Sequence, residues 1–175
     1  MASHTAFEIL YKDYYRRVFG LCRRLLVSNQ LAEDATQETF MRAYKNFATF
    51  KAEQPFWQWI ASIANNHCID VLRSKHRTDQ LFGEETDELT EVVSADRPAL
   101  SDLIAFEESN SLNRAVAALP DKYRVPLVLA YFHEASYEDI ADHLQVSRNH
   151  VGVLLLRAKQ HLRASLADGT REDCQ

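Results

Sequence analysis

The sequence predicts an all-α protein: two small helical domains joined by an acidic flexible linker, the second domain containing a helix-turn-helix. Gly and Pro occur only four times each in 175 residues, and long stretches repeat apolar residues at helical spacing, with no alternating run typical of a strand. Charge is also unevenly distributed, since residues 1–78 carry +4, residues 79–108 carry −9 and residues 109–175 carry 0. We therefore expect domains at 1–77 and 109–175 and a linker at 78–108.

Composition excludes several classes of protein. The N-terminus lacks the apolar core and small-residue cleavage site of a signal peptide, and no apolar run approaches the ~18 residues that cross a bilayer. The three cysteines, Cys22, Cys68 and Cys174, are far apart and form no C-x-x-C pair. This spacing argues against a disulfide framework and a zinc site. We expect an intracellular protein with no metal and no cofactor, in which Cys22 and Cys68 are ordinary core thiols.

Two helices are predicted in the first half of domain 1, over 5–27 and about 30–47. Four arginines (Arg16, Arg17, Arg23 and Arg24) crowd the outer surface of the first. Ser28 or Asn29 is expected to cap the second, whose inward side should hold Leu31, Ala35, Phe40, Ala43, Tyr44 and Phe47. Asp34, Gln37 and Glu38 share an exposed patch of that helix. Such a patch is either an ordinary solvated face or a docking point for a basic partner.

A third helix is predicted over Pro55–Arg77, with Pro55 in its first turn. Its apolar face holds Trp57, Ile60, Ala61, Ala64, Cys68, Val71 and Leu72, and its other face holds Gln58, Ser62, Asn65, Asn66, Arg73 and Arg77. The order of aromatic, amide and cationic groups suits the holding of opened nucleic acid. The alternative is an amphipathic helix whose basic end complements its dipole.

The loop Asn46–Gln54 precedes this helix and adds Phe47, Phe50 and Lys51. A loop of this kind beside an aromatic-headed helix can form a pocket for an unstacked base. The alternative is that both Phe residues close the core, which we favour for Phe47.

The second domain carries a helix-turn-helix pattern. A short helix is expected from near Ser109 to before Pro120, and a second from Asp121, as its cap, to about His133. Ser136-x-x-Asp139 resembles a capping box that opens a helix over 137–145. The apolar spacing through Val146, followed by the cap Ser147, is typical of the turn before a recognition helix, here 148–166.

The predicted recognition helix has one packing face and one outward face. Val151, Leu154, Leu155, Ala158 and Leu162 are expected to pack inward, which leaves Arg148, Asn149, His150, Arg157 and Lys159 facing outward. No acidic residue occurs between Asp142 and Asp168. An anionic partner would therefore meet no repulsion along this helix.

Taken in order, these motifs resemble the extracytoplasmic-function (ECF) family of bacterial RNA polymerase sigma factors, with regions 2 and 4 only. In the first domain, Leu31–Phe40 is similar to region 2.2, and Phe56–Asn65, together with Asp70, Arg73 and Arg77, is similar to regions 2.3 and 2.4. In the second domain, Ala118–Arg124 is similar to region 4.1 and Tyr137–Lys159 is similar to region 4.2.

The resemblance implies a role for each domain. Residues 1–77 would be region 2, in which Asp34, Gln37 and Glu38 dock on the β′ clamp helices of core polymerase. Recognition and melting of the −10 element would fall to Asn46, Phe50, Lys51, Phe56, Trp59, Asn65, Asn66, Arg73, Lys75 and Arg77. Residues 109–175 would be region 4, and reading of the −35 element would fall to Ser147, Arg148, Asn149, His150, Arg157 and Lys159. The linker would thread into polymerase toward the RNA path, and the protein would also contact the β subunit of core polymerase.

The resemblance also implies partners and a location. The protein would be an alternative sigma factor and not an enzyme, with core polymerase, promoter DNA and an anti-sigma factor as partners and no small-molecule substrate. It would be cytoplasmic, and near the membrane only if a membrane anti-sigma factor held it. Many relatives have Gly-Thr-Val-Lys-Ser-Arg after the Ser cap, where this chain has Asn149–Leu154, NHVGVL. Two customary cations are thus absent, which puts the −35 preference in doubt.

Two other functions compete with this interpretation. The first is a two-domain DNA-binding regulator that acts through its helix-turn-helix and never joins polymerase. The second is an enzyme, although the sequence has no H-x-x-x-H, G-x-S-x-G or phosphate-loop motif.

Overall fold

A computed structural model describes residues 2–78, 80–83 and 110–172, and in these ranges the protein is helical with no strand. The predicted all-α class is confirmed; most of the predicted linker lies outside the described residues. The helices are α1 (Ala2–Leu26), α2 (Asn29–Lys45), α3 (Phe56–His76), α4 (Asn110–Ala118), α5 (Asp121–Tyr131), α6 (Tyr137–Leu144) and α7 (Arg148–Glu172), with a 3-10 turn at Phe47–Thr49. The chain forms two compact units, Met1–Asp79 and Gln80–Gln175.

In the first unit, α1, α2 and α3 pack against one another. The inward face of α2 is made of small residues and one large ring: Ala32, Ala35, Thr36, Thr39, Phe40 and Ala43. The two buried threonine hydroxyls donate to main-chain carbonyls of their own helix, Thr36 to Ala32 (2.6 Å) and Thr39 to Ala35 (2.7 Å). Buried threonine on this face therefore leaves no unpaired hydroxyl.

Two residues of α2 that were expected to face inward do not. Leu31 is 37% exposed and Tyr44 is 51% exposed. The inward face is displaced from the predicted one because Thr36 and Thr39, which look polar in the sequence, occupy it. The Tyr44 ring packs edge-on against Phe7 at 5.1 Å and against His4 at 6.2 Å between centroids, and about half of the residue remains exposed.

Cys22 of α1 and Cys68 of α3 are free and buried in this unit, as expected for core thiols. A hydrogen bond between the two thiols, together with burial, raises the pKa of Cys68 well above its usual value. Within the described ranges no group of three or more His, Cys, Asp or Glu side chains could hold a metal ion.

The second unit is built around α5, whose residues from Tyr123 to Ala130 are all buried. Asp121 does not cap this helix as expected. Pro120 occupies the cap position, and Asp121 instead pairs its carboxylate with the buried Arg124. Arg124 also donates to the carbonyl of Leu119 at 2.7 Å. The buried guanidinium is thus paired with an anion and fixes the turn between α4 and α5.

The helix-turn-helix is formed by α6 and α7. A capping box opens α6, with the Asp139 N–H donating to Ser136 Oγ (3.1 Å) and the Ser136 N–H donating to the Asp139 carboxylate (3.2 Å). The helix ends at Gln145, whose φ of 57° reverses the chain. Ser147 Oγ then accepts from the His150 N–H at 3.2 Å and opens α7. The predicted capping box and Ser147 cap are both confirmed.

We expect Ser136→Ala to lower the free energy of unfolding by about 1 kcal/mol, the usual cost of a lost N-cap. The Ser136 hydroxyl also lowers the pKa of Asp139, and a carboxyl whose folded pKa is depressed stabilises the protein above its unfolded pKa. The difference between wild type and variant should therefore shrink as the pH falls through the Asp range, near ~4. Urea unfolding at several pH values measures this. Ser165→Ala, at an exposed position inside α7, is the control and should not lose stability.

Candidate nucleic-acid interface

Four aromatic rings join the loop 46–54 to the start of α3. Phe50 lies 5.1 Å from Trp59 and 5.5 Å from Phe56 between ring centroids, and Phe56 lies 5.7 Å from Trp59. Phe47 stacks on Phe50 at 6.0 Å. We call Phe47, Phe50, Phe56 and Trp59 the aromatic cluster. Phe56 is buried, so its ring supports the cluster and does not face solvent as a base-stacking group would.

Trp57 has different neighbours. Its indole stacks on Tyr14 of α1 with centroids 6.5 Å apart, and the Arg17 guanidinium lies 3.9 Å above the ring. Trp57 and Trp59 are both half-buried. The two indoles therefore differ in what they contact: Trp57 joins α1 to α3, whereas Trp59 belongs to the aromatic cluster.

Asn65 is not on the exposed face of α3 as predicted. It is 0% exposed, and neither atom of its side-chain amide has a hydrogen-bond partner among the described residues. The physical reason is that α3 packs against both α1 and α2, so its buried sector is wider than the apolar stripe and includes Asn65, between Ala61 and Ile69. Asn66, the next residue, is exposed as expected.

The cationic end of α3 is largely open. Lys75 and Arg77 are exposed and Arg73 is half-buried. An open cleft of about 530 Å³ is lined by Asp70, Arg73, Ser74, Arg77 and Thr78. Of the predicted loop residues, Lys51 is exposed, and Asn46 donates its side-chain N–H to the carbonyl of Arg42 at 2.9 Å. Asn46 thus helps to end α2.

The predicted docking patch on α2 is partly paired within its own helix. Asp34 and Gln37 are exposed, but Glu38 accepts a hydrogen bond from Arg42 Nε at 2.6 Å, and this contact lowers the Glu38 pKa. Leu31 and Met41 (54% exposed) flank these groups at helical spacing. We call Leu31, Asp34, Gln37, Glu38 and Met41 the α2 face. Its two apolar members were missed because Leu31 was assigned to the core and Met41 was not considered.

At the start of α7, the side chains do not all face outward as predicted. Arg148 and Asn149 are exposed, and Arg148 Nε donates to Glu138 at 2.6 Å. His150 is 6% exposed, and its Nε2 lies 2.9 Å from the carbonyl oxygen of Phe82. The expectation that His150 faces outward is wrong, because residues 80–83, assigned to the linker, pack on this helix.

Farther along α7, the two predicted cations are half-buried. The Lys159 ammonium lies 5.7 Å from the Tyr131 ring centroid, and burial, together with the nearby charge of Arg163, lowers its pKa. Gly152 and Leu156 share the outer face with Asn149. Leu156 is 38% exposed, and a Cβ built on Gly152 would meet nothing within 4 Å. From the sequence, Gly152 was expected only to weaken the helix within a segment that lacks two customary cations, and Leu156 had no predicted role.

Comparison with known proteins matches both units to one kind of protein. The family described as Sigma-70 region 2 matches residues 10–78, and the family described as Sigma-70, region 4 matches residues 109–162. The ECF RNA polymerase sigma factor SigW of Bacillus subtilis is 33% identical over 171 residues, covering 95% of this chain and 91% of SigW. This chain belongs to the ECF family of RNA polymerase sigma factors.

A further relative and two solved structures are also similar to this chain. The RNA polymerase sigma-H factor of Pseudomonas aeruginosa is 29% identical to this sigma factor, with 95% of this chain and 89% of sigma-H covered. In fold, the sigma factor is similar to RpoE of Bartonella quintana, solved in complex with the anti-sigma factor NepR (TM-score 0.62, 19% identity, 93% and 97% of the two chains). It is also similar to CnrH, solved in complex with the cytosolic domain of CnrY (TM-score 0.56, 21% identity, 94% and 90% of the two chains).

The sigma factor is thus a transcription initiation factor. In the part of the chain that the structure describes, no helix has the length and apolar character needed to cross a membrane.

The two tryptophans should separate by function. Trp57→Ala removes the stack on Tyr14 and the Arg17 contact, and we expect it mainly to lower the melting temperature. Trp59→Ala should reduce promoter opening by more than its loss of stability explains, because an aromatic ring on which a base stacks contributes about 1–3 kcal/mol per base. Thermal melts and permanganate footprints of the promoter bubble measure both effects. The reverse pattern would contradict these assignments.

Proposed function

We propose that this sigma factor binds core RNA polymerase through the α2 face, opens the −10 element with the aromatic cluster and α3, and reads the −35 element with the start of α7. Domain roles follow: residues 1–77 act as region 2, residues 78–108 as linker and residues 109–175 as region 4. The observation that carries the proposal is the placement of a half-exposed aromatic cluster at one end of α3, whose other end carries the open cations Lys75 and Arg77.

Docking is supported by the mixed character of the α2 face. Asp34 and Gln37 offer exposed acceptors, and Leu31 and Met41 add apolar surface around them. Charge-assisted hydrogen bonds to a basic helix would fix orientation. The apolar neighbours would contribute buried area and exclude water from those bonds.

Promoter opening is supported by the geometry around α3. Phe50 and Trp59 are half-buried, so each ring is held by its neighbours and still presents an edge or face. An unstacked base placed there would find aromatic surface, with the exposed amide of Asn66 on the same helix and the cations of its last turn to hold phosphates. Phe56 and Asn65 are buried, so they would support that surface without contacting the base.

Reading of the −35 element is assigned to the open face of α7. Asn149 and Arg148 lie in its first turn, where a recognition helix meets base edges. Arg157 and Lys159 lie farther along, where phosphate contacts are expected. Leu156 can contact a thymine methyl group, and Gly152 lets the helix approach the bases closely.

We further propose regulation by an anti-sigma factor, in the cytoplasm or at a membrane if the anti-sigma factor resides there. One structural neighbour is the sigma factor RpoE, solved with the anti-sigma factor NepR, and another is CnrH, solved with the cytosolic domain of CnrY. This chain also exposes the large apolar side chains of Ile9, Tyr11, Met41 and Tyr44 on α1 and α2. A protein partner would cover such side chains, so the same surface suits both polymerase and inhibitor. No small-molecule substrate or catalytic role is part of the proposal.

A stand-alone helix-turn-helix regulator is the competing function. It would bind DNA tightly without polymerase and would make no use of the α2 face. Co-purification with core polymerase, followed by run-off transcription, separates the two functions. Tight binding to DNA with no core association would favour the regulator.

Charge reversal tests the docking role. Asp34→Arg together with Glu38→Arg should weaken binding to core polymerase by about 10²-fold or more, since like charges would then face a basic helix. Fluorescence anisotropy with labelled sigma factor and purified core measures the change. The matched control is Asp13→Arg, at an exposed position of α1, which should leave core affinity unchanged. Equal affinity of the double variant and wild type, with both folded, would refute the docking role.

Two substitutions on α7 should have different effects on −35 recognition. Asn149→Ala should change the preferred −35 sequence, losing roughly 1–3 kcal/mol of discrimination at one position. Lys159→Ala should weaken binding to all promoters about equally. It should also reduce the slope of log affinity against log salt concentration by about one unit. A randomised −35 library transcribed by reconstituted holoenzyme at several salt concentrations measures both. If Asn149→Ala keeps the wild-type −35 preference, residues within Gly152–Leu156 and not Asn149 must read the bases.

A further inference from the structure

A short turn at the start of the linker is packed on the second unit. Gln80–Gly83 is closed by a hydrogen bond from the Gly83 N–H to the Gln80 carbonyl at 2.9 Å. Phe82, inside this turn, is only 1% exposed. We call Gln80–Gly83 the Phe82 turn. Complete burial of a Phe ring removes a large apolar surface from water, so the folded chain stabilises this turn with Phe82 inside.

His150 of the recognition helix supplies the polar part of this contact. A carbonyl oxygen can only accept, so His150 Nε2–H donates to the main-chain carbonyl of Phe82, at 2.9 Å. The imidazole is itself buried, and the His150 main-chain N–H bonds to Ser147 Oγ. While the turn is docked, His150 is engaged with the linker and cannot contact a base edge.

We propose that the Phe82 turn is an intramolecular latch that prevents the free sigma factor from reading both promoter elements at once. This inference rests on the proposed function, which places −10 reading on α3 and −35 reading on α7. Arg77 follows the last turn of α3 and lies five residues before Phe82. The Cα atoms of these two residues can be at most about 18 Å apart, even in a fully extended chain.

The promoter requires a much longer reach. Elements designated −10 and −35 are about 25 base pairs apart, which is about 85 Å along B-form DNA. With the turn docked on His150, beside the −35 reading residues, the chain is too short to serve both elements. With the turn released, residues 77–109 join α3 to α4. These 33 residues can span up to about 110 Å.

The latch therefore makes release of the Phe82 turn a required step in promoter recognition. A protein whose competent form is only partly populated binds with an affinity reduced by that fraction. A latch closed nine-tenths of the time would weaken binding to a promoter with both elements by about tenfold. Binding to a fragment with one element alone would be unaffected by the length of the tether.

Energy transfer between two dyes on the full-length chain tests the latch. The dyes are attached through Asp13→Cys on α1 and Ala164→Cys on α7, both exposed positions, in a Cys174→Ser background. The wild type should give higher transfer than Phe82→Ala, because the docked turn shortens the tether between the labelled helices. His150→Leu, which removes the donor, should resemble Phe82→Ala, whereas His150→Gln, which keeps an N–H donor, should retain most of the transfer. Core polymerase with promoter DNA should lower the wild-type transfer to the level of Phe82→Ala.

Unchanged transfer in Phe82→Ala and His150→Leu would overturn the latch. Circular dichroism shows whether each variant is folded, and the His150→Leu and His150→Gln pair keeps the test valid if Phe82→Ala unfolds. Run-off transcription by the same labelled proteins separates the two proposals. Active transcription with unchanged transfer would overturn the latch and leave the proposed function intact, whereas a folded chain that cannot direct transcription would overturn the proposed function itself.

Discussion

The first unit depends on how closely α1 and α3 can approach α2. Ala32, Ala35, Thr36, Thr39 and Ala43 make most of the buried side of α2, and each is small. Close-packed interiors tolerate few voids, so these residues bring the neighbouring helices near, and Phe40 is the one large side chain on this buried face. The large residues Leu31, Met41 and Tyr44 are consequently outside. The composition of one packed face thus determines which groups α2 can offer to a partner.

The same packing shapes the proposed DNA-opening surface. Because α3 is held from two sides, a wide sector of it is buried, and Asn65 lies inside that sector with no hydrogen-bond partner among the described residues. The rings of Phe50 and Trp59 are fixed by Phe47 and Phe56. A surface assembled in advance loses little conformational freedom when it captures a base, which favours capture.

Sequence patterns predicted the helices well, because each has a local cause. Ser28, the capping box of Ser136 and Asp139, and Ser147 are short-range signals, and all three caps are present in the structure. The errors arose where packing between distant segments decides the outcome. Tyr44, Asn65 and His150 were placed by helical periodicity alone. The sequence around His150 does not indicate that Phe82, 68 residues away, contacts it. Likewise, the sequence around Asn65 does not indicate that α3 packs against both α1 and α2.

The open position at Gly152 gives the recognition helix unusual freedom to change. A Cβ added there would meet nothing within 4 Å, and replacing glycine inside a helix generally improves helix stability. Altered promoter choice could therefore arise at this position by a single substitution, without rearrangement of the packed side of α7. In the proposed −35 interface, a substitution at Gly152 would therefore change specificity without a cost in stability. A family of sigma factors with distinct targets could diverge through this residue while the fold stays constant.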